Sequence, residues 1–465
     1  MAALLAATGA HASGTLALTN VTVIDVADGR ARPAQTVLIE DGRILAVDDS
    51  ARAKVPSGAT AVDGRGRFLV PGFWDMHVHS HRDRRWTYHY PLFVGHGVTG
   101  VRDAGTHLSS ALELMSAHPS MPAAPTVVWG SPPLDGPSPV LSFALALEVE
   151  TAADDITRLL QRSGFDFIKT YDRLSPANYH ALALAADREG LRIEGHVPLA
   201  MSPAEAVAAG HDLIDHLTLV VESCAPGALE HVHAMVAADP SAADSLGILM
   251  DPALAKLLEG YDANRCRELF ALFAKHGVWQ VPTLVQLRGF VLPEEARRVA
   301  ADRAAETTPA LIAEWSAAAQ DGDPARLAAG AAVYRLQLAA LRPMQDAGVP
   351  LMVGTDTSNE AWVFAGSSVH DEMALFVDAG LTPLEALQAA TLRPLQYAGR
   401  ARAGRAITAG EIADLVLLDA DPRNDIGNTR TIRAVVMRGQ LFERDALDAL
   451  LEKGRAAASG EEPGG

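Results

Sequence analysis

The sequence predicts an α/β protein, a (β/α)8 barrel of the TIM type that carries a small β-sandwich domain assembled from both ends of the chain. Three observations support this prediction. β-rich segments separated by turn residues lie at both ends, at residues 15–67 and 405–445. The middle, residues 68–400, alternates strand-like with helix-like segments. Polar residues stand where several of these strands end, which is where barrel active sites are built.

The composition is that of a globular protein with a large core. The chain has 465 residues, of which 49% are hydrophobic and 21% charged. Its formal net charge of −18 repels phosphate backbones and anionic membrane surfaces, so we expect neither nucleic acid nor a membrane as a partner. No apolar run approaches the ~18 residues that span a bilayer.

The first residues and the cysteines bear on localisation. Residues 1–12, "MAALLAATGAHA", are apolar and end in Ala-x-Ala. We interpret them as a signal peptide without a positive start, which implies a periplasmic or secreted protein. The alternative is an Ala-rich N-terminus on a cytoplasmic protein. Cys224 and Cys266 could form one bridge, but the sequence does not decide whether they pair.

The two ends of the chain are expected to share one domain. "LALTNVTVIDV" and "QTVLIEDGRILAV" are followed by "RFLV" at the front, and "ADLVLLDADPRNDI" and "IRAVVMRGQLFER" stand at the back. Two β segments at opposite ends most simply form one small β domain, with the middle folded between them. Residues 446–465 are predicted to be a flexible tail.

The middle supplies eight candidate strands, at residues 73–78, 97–103, 126–129, 165–171, 192–197, 213–217, 279–284 and 351–356. Several helical segments between them open at Ser or Asn and close at Gly, as capped helices do. A doubly wound sheet is disfavoured because no Gly-rich phosphate turn follows these strands. Two long connections, 218–263 and 285–350, either cap a pocket or pack on the barrel exterior.

Candidate ligands for a metal end five of these strands. In "FWDMHVHSH", His77 and His79 are two residues apart, so both face the same side of the first strand. The other strand ends contribute a lysine, two further histidines and an aspartate, at positions Lys169, His196, His216 and Asp356. Neutral imidazoles with a carboxylate suit zinc or another borderline divalent metal.

In this order, the motifs resemble those of the amidohydrolase superfamily, metal-dependent hydrolases on a (β/α)8 barrel. "VPGFWDMHVHS" looks like its first-strand H-x-H motif, and "FIKTY", "IEGHVP", "GHDLIDHL" and "VGTDT" look like its later strand ends. The resemblance covers nearly the whole chain. Among the branches, the sequence is most similar to imidazolonepropionase-like and Xaa-Pro dipeptidase-like members.

The resemblance implies two divalent metal ions, with zinc as the expected element. It implies that His77, His79 and Asp356 bind the more buried metal. It assigns His196 and His216 to the second metal and makes Lys169, carboxylated by CO2, the bridge between them. A carbamate offers two anionic oxygens, whereas a free ammonium would be repelled by cations. One-metal deaminases resemble this pattern but lack the fourth-strand lysine.

The implied mechanism uses a metal-bridging hydroxide. Two cations ~3.5–4 Å apart lower the pKa of a bridging water, and Asp356 takes its proton and passes it to the leaving amine. Tyr171 faces the same side as Lys169 and either donates to the oxyanion or fills the core. Arg173 and His370 are candidates to pair with a substrate carboxylate.

Two further histidines lie close to these motifs. His81 follows the first strand but leaves its register, so it points to solvent or to the substrate mouth. His211 lies in the turn before the sixth strand and is expected to be solvated.

The predicted function is hydrolysis of an amide, in a dipeptide such as Xaa-Pro or in an N-acyl amino acid. The same site could instead cleave a lactone, a phosphotriester or a cyclic amide. A non-catalytic barrel that binds small molecules is disfavoured because every metal position is present. Specificity is assigned to loops 80–96, 131–150, 218–263 and 285–350. A large barrel with apolar helices is also compatible with a homo-oligomer.

Overall fold

The computed structural model describes residues 14–80, 82–121, 123–357, 361–401 and 406–460. The proposed signal peptide at residues 1–12, His81 and residues 461–465 of the expected tail therefore lie outside the described residues. Within that part of the chain, none of the helices is long and apolar enough to cross a membrane.

The structure confirms the mixed α/β class. The strands are β1 Leu16–Asp25, β2 Arg30–Glu40, β3 Arg43–Asp49, β4 Thr60–Asp63, β5 Phe68–Pro71, β6 Phe73–Val78, β7 Val98–Asp103, β8 Thr126–Trp129, β9 Leu134–Asp135, β10 Leu145–Ala146, β11 Phe167–Thr170, β12 Arg192–Gly195, β13 His211–Asp215, β14 Trp279–Val281, β15 Leu415–Leu418, β16 Ile432–Met437 and β17 Gln440–Glu443.

Helices follow most of the strands between β6 and β14. The α-helices are α1 Trp86–Gly95, α2 Leu108–Ala117, α3 Ala153–Ser163, α4 Pro176–Glu189, α5 Pro203–Ala208, α6 Ala228–Ala238, α7 Ser245–Leu249, α8 Pro252–Leu258, α9 Ala263–His276, α10 Leu284–Val291, α11 Pro293–Val299, α12 Pro309–Asp321, α13 Pro324–Asp346, α14 Ser367–Asp378, α15 Pro383–Ala390, α16 Leu392–Tyr397 and α17 Arg444–Ser459.

Both ends of the chain join in one eight-stranded sheet, here called the composite sheet. Its order is β17-β16-β15-β5-β1-β2-β3, with β4 paired to β1. The two ends meet where β5 runs antiparallel to β15. Because β5 covers Phe68–Pro71, the N-terminal part of this sheet extends past the boundary at residue 67 that the sequence suggested.

The period of two along β15 explains how the composite sheet is attached. Leu415 and Leu417 pack into a hydrophobic cluster of the sheet's own, whereas Val416 and Leu418 pack into the main core of the molecule. Successive side chains of a strand point to opposite faces. The sheet therefore lies between its own small core and the middle of the chain.

The middle of the chain is built on parallel strands. β6, β7 and β8 pair in one sheet, and β9 to β14 pair in another whose order is β10-β9-β11-β12-β13-β14. Isolated parallel bridges link Gly130 to Phe167, Gln280 to Leu351 and Val78 to Thr357.

The predicted eighth strand, residues 351–356, pairs on both sides without forming a regular ladder. The Met352 amide donates to Gln280 at 2.9 Å, and the Met76 amide donates to Val353 at 2.9 Å. Gly354 follows in the same segment, and a Cβ there would stand 2.9 Å from the backbone nitrogen of His77. The close approach of this segment to β6 is therefore possible because residue 354 is glycine.

Several helix ends follow the expected capping chemistry. The Ser175 and Ser202 side chains cap α4 and α5, and Gly164, Gly190 and Gly277 end α3, α4 and α9 in the left-handed conformation. Glycine suits these ends because it lacks the Cβ that makes positive φ costly. Asp262 caps α9, two residues before Asn264.

The prediction of a flexible tail is wrong for most of its length. Residues up to Ser459 form α17, which packs against α1. Leu447, Leu451 and Ala458 are buried on one helical face. The two helices approach closely at Gly95, where a Cβ would lie 2.5 Å from Leu451. Burial of this apolar stripe outweighs the charged residues that made the segment look like a tail.

Cys224 and Cys266 form a disulfide, with their Cα atoms 5.0 Å apart. Cys224 ends a short 3-10 helix, Glu222–Cys224, in the first long connection, and Cys266 lies in α9. The bond therefore ties the start of that connection to the helix that ends it.

Candidate metal centre

The structure brings the six candidate residues together in one cavity. They lie at or just after the carboxyl ends of the parallel strands, and each lines that cavity: His77, His79, Lys169, His196, His216 and Asp356. Its volume of about 170 Å³ is far above the ~10–15 Å³ that one water molecule needs, so it can hold a larger molecule.

Three of these side chains converge tightly enough to share one ion. His77 Nε2 lies 3.3 Å from His79 Nε2, and the two atoms lie 3.5 and 3.2 Å from Asp356 Oδ1. Together, His77, His79 and Asp356 form a group of side chains whose ligand atoms could hold a metal ion. His216 stands on the other side of the same carboxylate, with its Nε2 3.7 Å from Asp356 Oδ2.

In three of the histidines, the ring nitrogen Nδ1 donates its proton to a hydrogen-bond acceptor. His79 Nδ1 donates to the Gly105 carbonyl at 2.7 Å, and His196 Nδ1 donates to the Asp172 carboxylate at 2.6 Å. His216 Nδ1 lies 2.6 Å from Thr283 Oγ1, whose own proton goes to the Pro282 carbonyl. The threonine oxygen must then accept, so the proton sits on Nδ1. Each Nε2 is therefore left as the lone-pair donor available to a ligand.

The charges of the cluster also fit a divalent cation. Burial lowers the pKa of His77 to about 4 and that of His216 well below its ordinary value, so both imidazoles are neutral at pH 7. Burial opposes ionisation of Asp356, but the surrounding histidines hold its pKa below the ordinary range. Asp356 Oδ1 is buried and accepts no hydrogen bond from the described residues. Neutral imidazoles around an ionised, unsatisfied carboxylate are a suitable donor set for zinc.

Lys169 belongs to a buried network of charged side chains beside this cluster. Its Nζ is 2.5 Å from Asp215 Oδ2, while Arg102 and His77 lie 3.1 and 3.0 Å from the other oxygen of Asp215. Burial lowers the pKa of Lys169. Burial alone would raise the pKa of Asp215, but Arg102, His77 and Lys169 hold it well below its usual range. Asp215 thus fixes both the lysine and the first histidine.

Two ligand candidates and the threonine that contacts His216 have strained backbones. His216, Thr283 and Asp356 have φ values of 59°, 50° and 60°, a region that non-glycine residues seldom occupy. A β-branched threonine is the most costly of the three there. Such strain concentrates at functional sites, where surrounding contacts impose it.

All four loops assigned to specificity contribute to the cavity wall. The lining residues beyond the metal cluster come from each of them and include Arg82, Phe143, Leu219, Ser245 and Phe290. The two long connections therefore supply part of the pocket. Ser245 is fixed to the site because its amide and hydroxyl both donate to Asp172 at 2.7 Å.

Comparison with protein families identifies the family of this chain. The model of the amidohydrolase family matches residues 68–442, which is most of the chain. The chain belongs to the amidohydrolase family. This amidohydrolase is accordingly a hydrolase that acts on carbon–nitrogen bonds.

Individual relatives are more distant. An imidazolonepropionase of Chromobacterium violaceum is 25% identical over 414 residues, covering 84% of this chain and 86% of the relative. Among solved structures, a bottromycin amidohydrolase aligns with a TM-score of 0.73 at 24% identity, over 97% of this chain and 91% of the other. A Xaa-Pro dipeptidase with bound methionine aligns with a TM-score of 0.65 at 17% identity, over 92% and 100%. These structural likenesses concern the fold.

Two predicted substrate contacts of this amidohydrolase are not among the residues that line the cavity. The Arg173 guanidinium donates to the carbonyls of Ala243 and Ser138. His370 is buried in α14, where its ring nitrogens contact Thr429 Oγ1 and the His96 carbonyl at 2.9 and 3.0 Å. Both residues bond to segments distant in sequence, which local spacing could not reveal.

His211 is not solvated as expected. It opens β13, is 2% exposed, and its Nδ1 lies 2.7 Å from the hydroxyl oxygen of Tyr179. The strand begins two residues earlier than the sequence suggested, and this extension buries the ring. Tyr171, by contrast, lines the cavity and stacks on the His196 ring with centroids 4.2 Å apart.

Sequence reasoning missed four functional candidates that the geometry reveals. Asp172, Asp215 and Thr283 contact the histidines or Lys169, and Glu222 lines the cavity. A usable signal existed for the two aspartates, since each directly neighbours a singled-out residue in "KTYD" or "IDH". The sequence held no such signal for Thr283 or Glu222.

Proposed function

We propose that this amidohydrolase is a binuclear metal-dependent enzyme that cleaves an amide bond in a dipeptide, such as Xaa-Pro, or in an N-acyl amino acid. The observation that carries the proposal is the convergence of His77, His79 and Asp356 on one point, with the unsatisfied Asp356 Oδ1 between them. The architecture proposed to hold the site is a closed (β/α)8 barrel with a β-sandwich. The parallel bridges from Gln280 to Leu351 and from Val78 to Thr357 support that closure.

In this proposal His77, His79 and Asp356 hold one metal ion, and His196 and His216 hold the other. The distribution of rings supports it, because His216 lies near both groups, 4.6 Å from the His77 ring and 4.8 Å from the His196 ring between centroids. Zinc is the proposed element, given the borderline donor set.

Lys169 is proposed to bridge the ions as a carbamate. CO2 reacts with the neutral amine, and burial favours that form by lowering the pKa of Lys169. A carbamate keeps one N–H, which could still donate to the neighbouring Asp215 carboxylate. A Lys169→Met variant is therefore expected to retain the His77 site and to lose the second ion.

Each residue of the site then has its own role in the proposed reaction. Metal ions bound there would polarise the scissile carbonyl and lower the pKa of a water molecule. Asp356 is placed to take the proton of the attacking water and to return it to the leaving nitrogen. Tyr171, stacked on His196, is placed at the cavity wall to donate its hydroxyl proton to the developing oxyanion.

The disulfide supports an exported protein. Disulfides persist in oxidising compartments and are rare in a reducing cytoplasm. Since Cys224 and Cys266 are the only two cysteines of the chain and are bonded to each other, we propose a periplasmic or secreted location.

A substrate panel tests the proposed reaction. Xaa-Pro dipeptides and N-acyl amino acids are incubated with the zinc-supplemented enzyme beside lactones, cyclic amides and phosphotriesters. We expect amide turnover that falls by about 10²–10⁴-fold in Asp356→Asn, because the proton carrier is lost. Asp378→Asn, at the exposed end of α14, is the control. Turnover of lactones or phosphotriesters without amide cleavage would contradict the proposed substrate class.

A further inference from the structure

Glu222 is a carboxylate buried in the wall of the active-site cavity. It begins the 3-10 helix Glu222–Cys224, six positions after His216, and lines the same cavity as the metal cluster. The residue is only 1% exposed. Neither of its side-chain oxygens has a hydrogen-bond partner among the described residues. A buried carboxylate without hydrogen-bond partners from the protein is costly.

The part of the cavity wall that comes from the same connection as Glu222 is largely apolar. It includes Leu219, Ile248 and Leu249. Burial raises the pKa of Glu222 to about 7, and within the described part of the chain the one opposing contribution comes from its own backbone amide. No basic side chain among those residues lowers that pKa.

The carboxylate is also held in place. Cys224, two residues on, is bonded to Cys266, and its carbonyl accepts the Asp262 amide at 3.0 Å. The disulfide and this hydrogen bond therefore both tie the short helix to the start of α9. Glu222 cannot readily turn to solvent to relieve its desolvation.

We propose that Glu222 is the specificity residue for a substrate that carries a protonated amine. An ammonium group placed against it would supply the missing hydrogen bonds and the missing countercharge in one contact. A neutral substrate would leave the carboxylate unsatisfied, so the cavity discriminates against it as well as favouring the amine. The inference rests on the proposed function, because it names the substrate class of that same cavity: it selects the dipeptide, which has a free amine, over the N-acyl amino acid.

A role in packing alone makes a different prediction. If Glu222 only filled space, an apolar side chain would serve better, and its replacement would change stability without changing ligand preference. Glu222→Gln keeps the shape of the side chain and removes the charge. Glu222→Leu also removes the polarity. Glu230→Gln, on the exposed face of α6, is the matched control.

Calorimetry with simple probes tests the proposal without requiring turnover. Phenethylamine, which is protonated at mildly alkaline pH, is compared with the neutral phenethyl alcohol on the zinc-supplemented enzyme and the three variants. We expect the wild type and Glu230→Gln to prefer the amine by about 10- to 100-fold, the worth of one charged hydrogen bond, and both Glu222 variants to lose that preference. An amine preference that survives in Glu222→Gln, or no preference in the wild type, would overturn the proposal.

Kinetics separate this proposal from the proposed function. With an Xaa-Pro dipeptide and its N-acetyl derivative as a matched pair, Glu222→Gln is expected to raise KM for the free amine about 10- to 100-fold and to leave the acetylated substrate nearly unchanged. Equal effects on both substrates would overturn the role of Glu222. A complete lack of amide turnover, with amine binding intact in the wild type, would contradict the reaction and leave the amine site standing.

Discussion

Three of the four histidines of the metal cluster are oriented by a hydrogen bond to a second residue, and these partners come from separate parts of the chain. His79 uses the Gly105 carbonyl, His196 uses Asp172, and His216 uses Thr283. The hydrogen bonds fix the ring orientation and the tautomer before any ligand arrives. The partner of His216 is the most demanding, because Thr283 adopts a φ of 50° to reach it.

Thr283→Val tests this positioning. The change keeps the branched shape but removes the oxygen that accepts the His216 proton, so the ring loses its fixed tautomer. We expect metal affinity, measured by competition with a chelator, to fall about 10- to 100-fold, while the melting temperature changes little. Thr283→Ser should restore metal affinity, since it restores the oxygen. Unchanged affinity in the valine variant would show that the hydrogen bond does not orient the ligand.

At the scale of elements, one buried carboxylate adds polar contacts to the packing of α17 on α1. Glu306 accepts from Arg455 of α17 at 3.0 Å, from Ser367 at 2.9 Å, and lies 3.1 Å from His96 Nε2. Burial opposes its ionisation, but the hydrogen bonds with these groups and the charge of His96 lower the pKa of Glu306 to about 2. An ionised Glu306 therefore strengthens the attachment of the terminal helix.

The pH dependence of stability follows from that shift. A carboxylate with a depressed folded pKa stabilises the protein fully above its ordinary pKa, and this contribution is lost as the pH falls from about 4.5 towards 2. It amounts to at most about 3 kcal/mol. In Glu306→Gln we expect lower stability at neutral pH and a smaller further loss between pH 5 and 3 than in the wild type, measured by urea unfolding. Parallel curves for the two proteins would exclude this role.

The disulfide restrains the first long connection by linking its start to α9. It joins two residues 42 positions apart, so the closed segment carries Ser245 and begins two residues after Glu222. Reduction should lower the free energy of unfolding by about 2–4 kcal/mol, because the unfolded chain gains freedom. The measurement is thermal unfolding with and without a reductant. A Cys224→Ala/Cys266→Ala double variant is the control, and the reductant should have no effect on it. Equal effects on both proteins would mean that the bond contributes nothing.

For the whole molecule, much of the fold could be predicted from the sequence because its strands end in residues with recognisable chemistry. The parallel strands lie close to their predicted positions, and His77, His79 and Asp356, which were expected at strand ends, lie close together. The failures share one cause. Arg173, His370 and α17 are placed by partners far away in the chain, such as Ala243, Thr429 and α1, and no local pattern encodes such partners.

Glu222 shows the same limit at the site. A glutamate in "VVESCAP" has nothing to distinguish it from a surface residue. Its significance depends on burial beside the cavity and on the lack of a partner within the described structure. Only the folded arrangement reveals both.

Metal content, measured by elemental analysis on the purified enzyme, tests the central claim most directly. The proposal predicts about two zinc equivalents per chain, loss of amide hydrolysis on chelation, and its return when zinc and bicarbonate are added together. Lys169→Met should hold about one equivalent. One equivalent or none in the wild type, with amide hydrolysis unaffected by chelation, would contradict the binuclear site and the carbamate on Lys169.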